Sequence, residues 1–278
     1  MGETIKIHET AFLTATFRSI DENLSGDCYG KLWHRKQTDL WIKDYLKSVS
    51  TEEPYCHCLR NRYFLDQIKK SIKQNHIEVL INFGAGFSMY PFLLTEKLIN
   101  IEIDKPEIVD YKKQKIEDWQ NKSLLPKREI HFIGVDFNED YQTKLISKIT
   151  AIKKNKRCFI LIEGVLFFLG KKETISLFNL FNSLQKEGDL IGSVSFQNAV
   201  SKTIAFKKML AFLAKKLTKD QAFDYQLIAN EFYQNIENYK LTDQQDFFSL
   251  SNKYKHQTTL SKDEILNETM YLLEKINS

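Results

Sequence analysis

The chain has 278 residues, 42% hydrophobic and 27% charged, with 40 basic against 36 acidic side chains and a formal net charge of +4. That balance excludes an obligate nucleic-acid binder, in which basic charge is clustered. No apolar run approaches the ~18 residues of a membrane span, and no secretory signal is expected ahead of the body of the chain. A soluble, cytoplasmic protein of one large or two small domains is expected, with no nucleic-acid and no membrane partner.

Lysine pairs such as Lys69-Lys70 and Lys153-Lys154 are scattered and read as solvated helix ends. Cys28, Cys56, Cys58 and Cys158 read as reduced thiols. Cys56-His57-Cys58 has the wrong spacing for a zinc site, so no metal is expected. The 20 Phe and 12 Tyr point to an aromatic-rich interior or pocket.

In chain order, residues 1–75 read as an N-terminal helical cap, with Leu59, Tyr63, Ile68 and Ile72 on one stripe. Residues 76–278 read as the core. Glu78 to Phe83, Ile99 to Ile103, Glu129 to Val135, Arg157 to Ile162 and Asp189 to Phe196 are short, nearly continuous apolar runs, as in strands covered on both faces. Helical patterns lie between them. Pro106 to Trp119 starts with a proline suited to a first turn, and Lys171 to Gln185 carries Ile175, Phe178, Phe181 and Leu184 on one face. The alternation predicts an α/β fold, a doubly wound, mostly parallel, Rossmann-like sheet.

An insertion over about 198–237 reads as two helices. Their stripes are Phe206, Met209/Leu210, Leu213 and Leu217, then Phe223, Leu227/Ile228, Phe232 and Ile236. These are either extra core helices or a lid; the lid is favoured, because the insertion follows a strand whose carboxyl end faces the ligand. Leu260 to Ile276 reads as a helix leading into a final strand, with helix throughout as the alternative.

The stretch Gly84-Ala85-Gly86 follows the first strand. Two glycines between a strand and a helix let a ligand approach bare backbone and leave N–H groups facing outward. Met89 stands where a dinucleotide fingerprint has a third glycine, which counts against a cradled pyrophosphate. Asp104 ends the second strand about 20 residues on, where a carboxylate meets ribose hydroxyls. Asp136 ends the third strand and Glu163 the fourth. This acidic rim suits a ligand with a diol, an exocyclic amine and a positive centre, and repels phosphates. S-adenosylmethionine has those groups.

Thr10-Ala11, Thr14 to Arg18, Arg60 to Phe64, the glycine turn, Glu102 to Pro106, Gly134-Val135-Asp136 and Glu163 to Leu166 occur in an order that resembles the leucine carboxyl methyltransferase family of class I methyltransferases, which includes bacterial relatives associated with polyketide O-methylation. The resemblance implies cofactor-binding roles. Arg60, or Arg62 in a shifted register, would hold the methionine carboxylate. Gly84, Ala85 and Gly86 would line the methionine moiety, and Asp104 would take both ribose hydroxyls. Asp136, with Phe137 beside it, would meet the adenine, and Glu163 the amino group. Three positions depart from the family: Ser88 and Asn138 replace an aspartate and an arginine, and Phe168 replaces a tyrosine. The loss of that arginine removes a bidentate carboxylate partner and argues against a protein C-terminus as acceptor.

Arg18, Tyr29, Trp33, Phe167 and Phe168 are substrate-pocket candidates by position, and His34 and Tyr29 are candidate catalytic groups. The expectation is an S-adenosylmethionine-dependent O-methyltransferase acting on a carboxylate or phenolic hydroxyl of a small-molecule, polyketide-like or aromatic acceptor. An NAD-dependent oxidoreductase and a catalytically idle cofactor-binding scaffold are the alternatives.

Overall fold

A computed structural model describes residues 10–137, 139–216 and 225–277. In chain order, helices α1 (Thr10–Ser19), α2 (Glu22–Ser25), α3 (Lys36–Ser48) and α4 (Glu53–Gln74) precede strand β1 (Val79–Phe83). Then come α5 (Tyr90–Leu93), β2 (Ile99–Asp104), α6 (Pro106–Asn121), β3 (Ile130–Gly134), α7 (Gln142–Lys153), β4 (Cys158–Ile162), α8 (Lys171–Leu184) and β5 (Leu190–Phe196). After them follow α9 (Ile204–Lys216), α10 (Asn230–Gln234), β6 (Tyr239–Asp246), α11 (Phe247–Tyr254) and β7 (Glu268–Lys275).

The strands form one seven-stranded sheet in the order β3-β2-β1-β4-β5-β7-β6. The first five pair in parallel, and β7 runs antiparallel to both neighbours. The strand order reverses at β1 and β4, so a crevice opens at their carboxyl ends. All five residues of β1 and of β4 are buried. Alternate side chains split between two cores. Val79, Ile81 and Phe83 join Leu145 and Ile149 of α7 and Leu177, Phe178 and Phe181 of α8. Leu80 joins Leu59, Tyr63, Phe64 and Ile68 of α4 and Leu250 of α11. Each such side chain contributes about 1.5–3 kcal/mol by leaving water.

The helix expected after the glycines is only the single turn α5. Tyr90 packs into the α4 core, whereas Phe87, Met89 and Phe92 pack with Trp33 and Trp119. With apolar side chains drawn to two cores, the segment cannot present one helical face.

The insertion also differs from its expectation. Its first helix is α9, which packs on α3. Leu217 and Phe223 lie outside the described residues. The second helix shrinks to α10, because 225–229 runs extended: Gln226 N–H donates to Phe167 O at 3.1 Å and Ile228 N–H to Phe196 O at 2.9 Å. The tail has a single 3-10 turn, Lys262–Glu264, before β7. Its five central residues, Thr269 to Leu273, are buried.

Candidate active site

A cavity of about 710 Å³ opens at the carboxyl ends of β1, β2 and β4. Its floor is the turn from Phe83 to Ser88, and its walls come from α1, α4, the end of β2, the segment after β3, and the loop from Glu163 into α8.

The glycines are used differently from the sequence expectation. Gly84 has φ +73°, and a Cβ there would lie 2.0 Å from Val165 Cγ2. A protein side chain therefore fills the space that glycine leaves. Gly86 has a left-handed φ of +43°, but a Cβ there would meet Ala11 Cβ at 3.5 Å and Gly84 O at 4.0 Å, both ordinary contacts. The backbone donors are also committed. Gly84 and Ala85 N–H donate to Ile103 O at 2.8 and 3.0 Å, and Gly86 N–H donates to Asp104 Oδ2 at 2.7 Å. The expectation of outward N–H groups is thus corrected: β2 consumes them, and the turn offers no anion cradle.

Asp104 lines the cavity, and its Oδ1 accepts the Lys105 N–H at 2.8 Å. Burial raises its carboxyl above the ordinary range, and the Gly86 and Lys105 amides oppose that rise. Each oxygen keeps a lone pair for a further donor. Beneath the turn, Glu102 and Lys112 form a fully buried ion pair, and Lys112 Nζ reaches Ala85 O at 3.5 Å. Burial pushes Glu102 up and Lys112 down, each partly offset by the other. Asn82 Nδ2 donates to Ser88 Oγ at 2.7 Å, so Ser88 serves the turn itself.

At the other end of the cavity, Arg60 of α4 stands against Glu163, just past β4. Arg60 Nε donates to Glu163 Oε1 at 3.1 Å, and Tyr90 Oη donates to Glu163 Oε2 at 2.9 Å. Arg18 is buried and lines the cavity near them, donating to Phe87 O at 3.0 Å and pairing with Asp27 at 3.3 Å.

Of the sequence candidates, Arg18, Arg60, Gly84, Ala85, Gly86, Asp104, Phe137, Glu163 and Phe168 come together around this one cavity. Six do not. Arg62 faces away, bonded to Asp66 at 3.0 Å and stacked over Tyr254. The helical period separates it from Arg60. Asp136 is exposed in a turn closed by its carbonyl and Glu139 N–H, and only its neighbour Phe137 reaches the cavity wall. Trp33 is core: it stacks on Phe87 at 4.3 Å and donates from Nε1 to Met89 Sδ at 3.1 Å. Tyr29 packs edge-on against Phe92. His34 is exposed and pairs with Asp39 at 2.7 Å. Phe167 is walled off by Phe196, Phe206 and Tyr225. Asn138 lies outside the described residues. The residue that matters most among those missed is Glu268, which grips Arg60 from β7.

Among the described residues, no three His, Cys, Asp or Glu side chains are grouped to hold a metal ion, and no helix is long and apolar enough to cross a membrane. Cys56 and Cys58 are buried on α4 as free thiols.

Solved structures share this architecture. A candidate methyltransferase from Thermobifida fusca YX superposes with a TM-score of 0.69 at 9% identity, over 99% of this chain and 96% of that one. A DUF574 family protein from Streptomyces avermitilis MA-4680 gives 0.60 at 7% identity, over 96% and 97%. Magnesium protoporphyrin IX methyltransferase from Synechocystis PCC 6803, solved with bound SAH, gives 0.51 at 10% identity, over 94% and 98%. No curated protein matches this chain in sequence. The fold is that of the class I methyltransferases. The family described as Leucine carboxyl methyltransferase matches residues 27–182, more than half of the chain, and the chain belongs to it.

Proposed function

We propose that the chain is an S-adenosylmethionine-dependent O-methyltransferase whose acceptor is a small molecule bearing a carboxylate or phenolic hydroxyl. The observation that carries this reading is the spacing of charge across one cavity. Asp104 stands at one end with lone pairs to spare, and the Arg60–Glu163 pair stands at the other. That donor set fits a ligand with a ribose at one end and a zwitterionic amino acid at the other. The committed N–H groups of the turn disfavour a pyrophosphate, and with it the dinucleotide alternative.

In this reading Asp104 accepts from the ribose hydroxyls, Phe137 covers the base, Glu163 accepts from the amino group and Arg60 donates to the carboxylate. When bound, the cofactor supplies an electrophilic sulfonium methyl group. The chain's part is to align the acceptor oxygen and to exclude water. Arg18, buried at the cavity wall and not assigned to the cofactor, is the guanidinium left to donate to an anionic acceptor oxygen. A carboxylate acceptor needs no base; a phenol, with a pKa near ~10, is helped by a cation of this kind. Phe168, where the family has a tyrosine, presents an apolar face to the cavity and favours an aromatic or polyketide-like acceptor.

Isothermal titration with S-adenosylhomocysteine tests the cofactor, and a methyl-donor turnover assay over small carboxylic acids and phenols tests the acceptor. Absence of heat at millimolar ligand would remove the proposal.

A further inference from the structure

Arg60 is held from two sides. Its Nε donates to Glu163, and its Nη1 donates to both carboxylate oxygens of Glu268, at 2.9 and 2.6 Å. Neither contact uses Nη2. All three side chains are nearly buried, with relative exposures of 6% for Arg60, 13% for Glu163 and 15% for Glu268. Arg60 and Glu163 line the cavity, whereas Glu268 stands behind them as the first residue of β7. Burial works against the charge of Arg60, but Glu268 and then Glu163 outweigh it and hold the guanidinium above its ordinary range.

Two carboxylates on one planar guanidinium do more than neutralise it. A single partner leaves the long side chain free to swing about its contact; a second, on a different edge of the fork, fixes the plane. Glu163 directly follows β4 and Glu268 begins β7, so two separate points of the sheet set the guanidinium orientation, one through Nε and one through Nη1. Glu268 also lies outside the stretch matched by the family, 27–182.

We propose that Glu268 is a positioning residue for the ligand's amino-acid end: it locks Arg60 so that the unused Nη2 edge meets the ligand carboxylate while Glu163 takes the amino group. This assignment rests on the cofactor reading above and specifies one subsite of it. Glu268 does not itself touch the ligand. Its loss frees Arg60 to collapse onto Glu163, which removes both partners of the amino-acid end and leaves the nucleoside end at Asp104 intact.

The test compares two ligands by isothermal titration: S-adenosylhomocysteine, and 5′-methylthioadenosine, which lacks the amino-acid end. In Glu268→Gln, S-adenosylhomocysteine affinity is expected to fall at least tenfold, while 5′-methylthioadenosine affinity stays within twofold of wild type. A merely structural role would move both together. Parallel loss of both, or S-adenosylhomocysteine binding within twofold of wild type, overturns the assignment and leaves the cofactor reading standing. Failure of the wild-type protein to bind either ligand overturns the cofactor reading and the assignment with it. Should Glu268→Gln fail to fold, Glu268→Asp is read by the same two affinities, with the same results expected and the same results overturning.

Discussion

Asp104 Oδ2 accepts the Gly86 N–H at 2.7 Å, so the carboxylate that ends β2 and the second glycine of the β1 turn form one unit. The contact places a charged acceptor at the cavity wall and fixes the turn that forms its floor. Asp104→Ala is expected to weaken S-adenosylhomocysteine binding more than tenfold. It should also cost about 1–3 kcal/mol of stability, because the Gly86 amide loses its charged acceptor. Titration calorimetry and urea unfolding check the two effects separately. Binding unchanged by the substitution would remove Asp104 from the site.

Gly84→Ala is expected to damage the fold for two separable reasons. An alanine at φ +73° costs about 1–2 kcal/mol for the left-handed backbone. In addition its Cβ would collide with Val165 Cγ2, on a side chain with little rotamer freedom. Adding Val165→Ala relieves the collision but not the backbone strain. A double-mutant cycle by denaturant unfolding should therefore show a coupling of at least about 1 kcal/mol in the favourable direction. Simple additivity would mean that Val165 moves aside at no cost.

The parts of this architecture that the sequence reveals are those where burial is symmetrical. β1 and β4 are buried at every position and read as continuous apolar runs. β6 escaped because it is an edge strand: Thr242 to Asp246 is polar throughout, and only Tyr239 and Leu241 carry apolar signal. The glycine turn was legible as a site, but not the fate of its N–H groups, which depends on the pairing of β1 with β2. Trp33 and Phe167 look like pocket residues in a list of aromatics, yet in three dimensions each finds other rings to bury against. Glu268 lies 208 residues from Arg60, and no spacing rule connects them.

The buried Glu102–Lys112 pair supports the turn from below through Ala85 O. Lys112→Met leaves Glu102 with its charge uncompensated in a dry setting and is expected to cost about 3–5 kcal/mol. Combining it with Glu102→Gln should recover most of that loss, since the remaining amide carries no charge. Thermal unfolding of the two variants decides this. Equal destabilisation in both would show that the apolar stem of Lys112, rather than its charge, is what the site requires.

Glu53 sits two turns before Arg60 on α4, buried against His57, whose Nε2 lies 3.2 Å from Glu53 Oε1, and near Tyr45, Arg60 and Glu268. Burial, then Glu268, pushes its carboxyl up to about 8, with Arg60 opposing. Burial also holds His57 well below its ordinary value, with Arg60 and Arg18 adding to the effect. The Glu53–His57 contact is therefore a neutral hydrogen bond at neutral pH, not an ion pair. Between about 4.5 and about 8 the unfolded chain has released the Glu53 proton while the folded chain keeps it. The stabilisation from this group is thus complete below the unfolded value and declines as pH rises towards 8. Glu53→Gln mimics the protonated carboxyl and removes that slope. Its melting temperature relative to wild type is expected to rise from pH 5 and to level off as the pH passes about 8. A difference that stays flat across this range would mean that Glu53 is already ionised in the folded protein, and that Arg60 is balanced by three carboxylates rather than two.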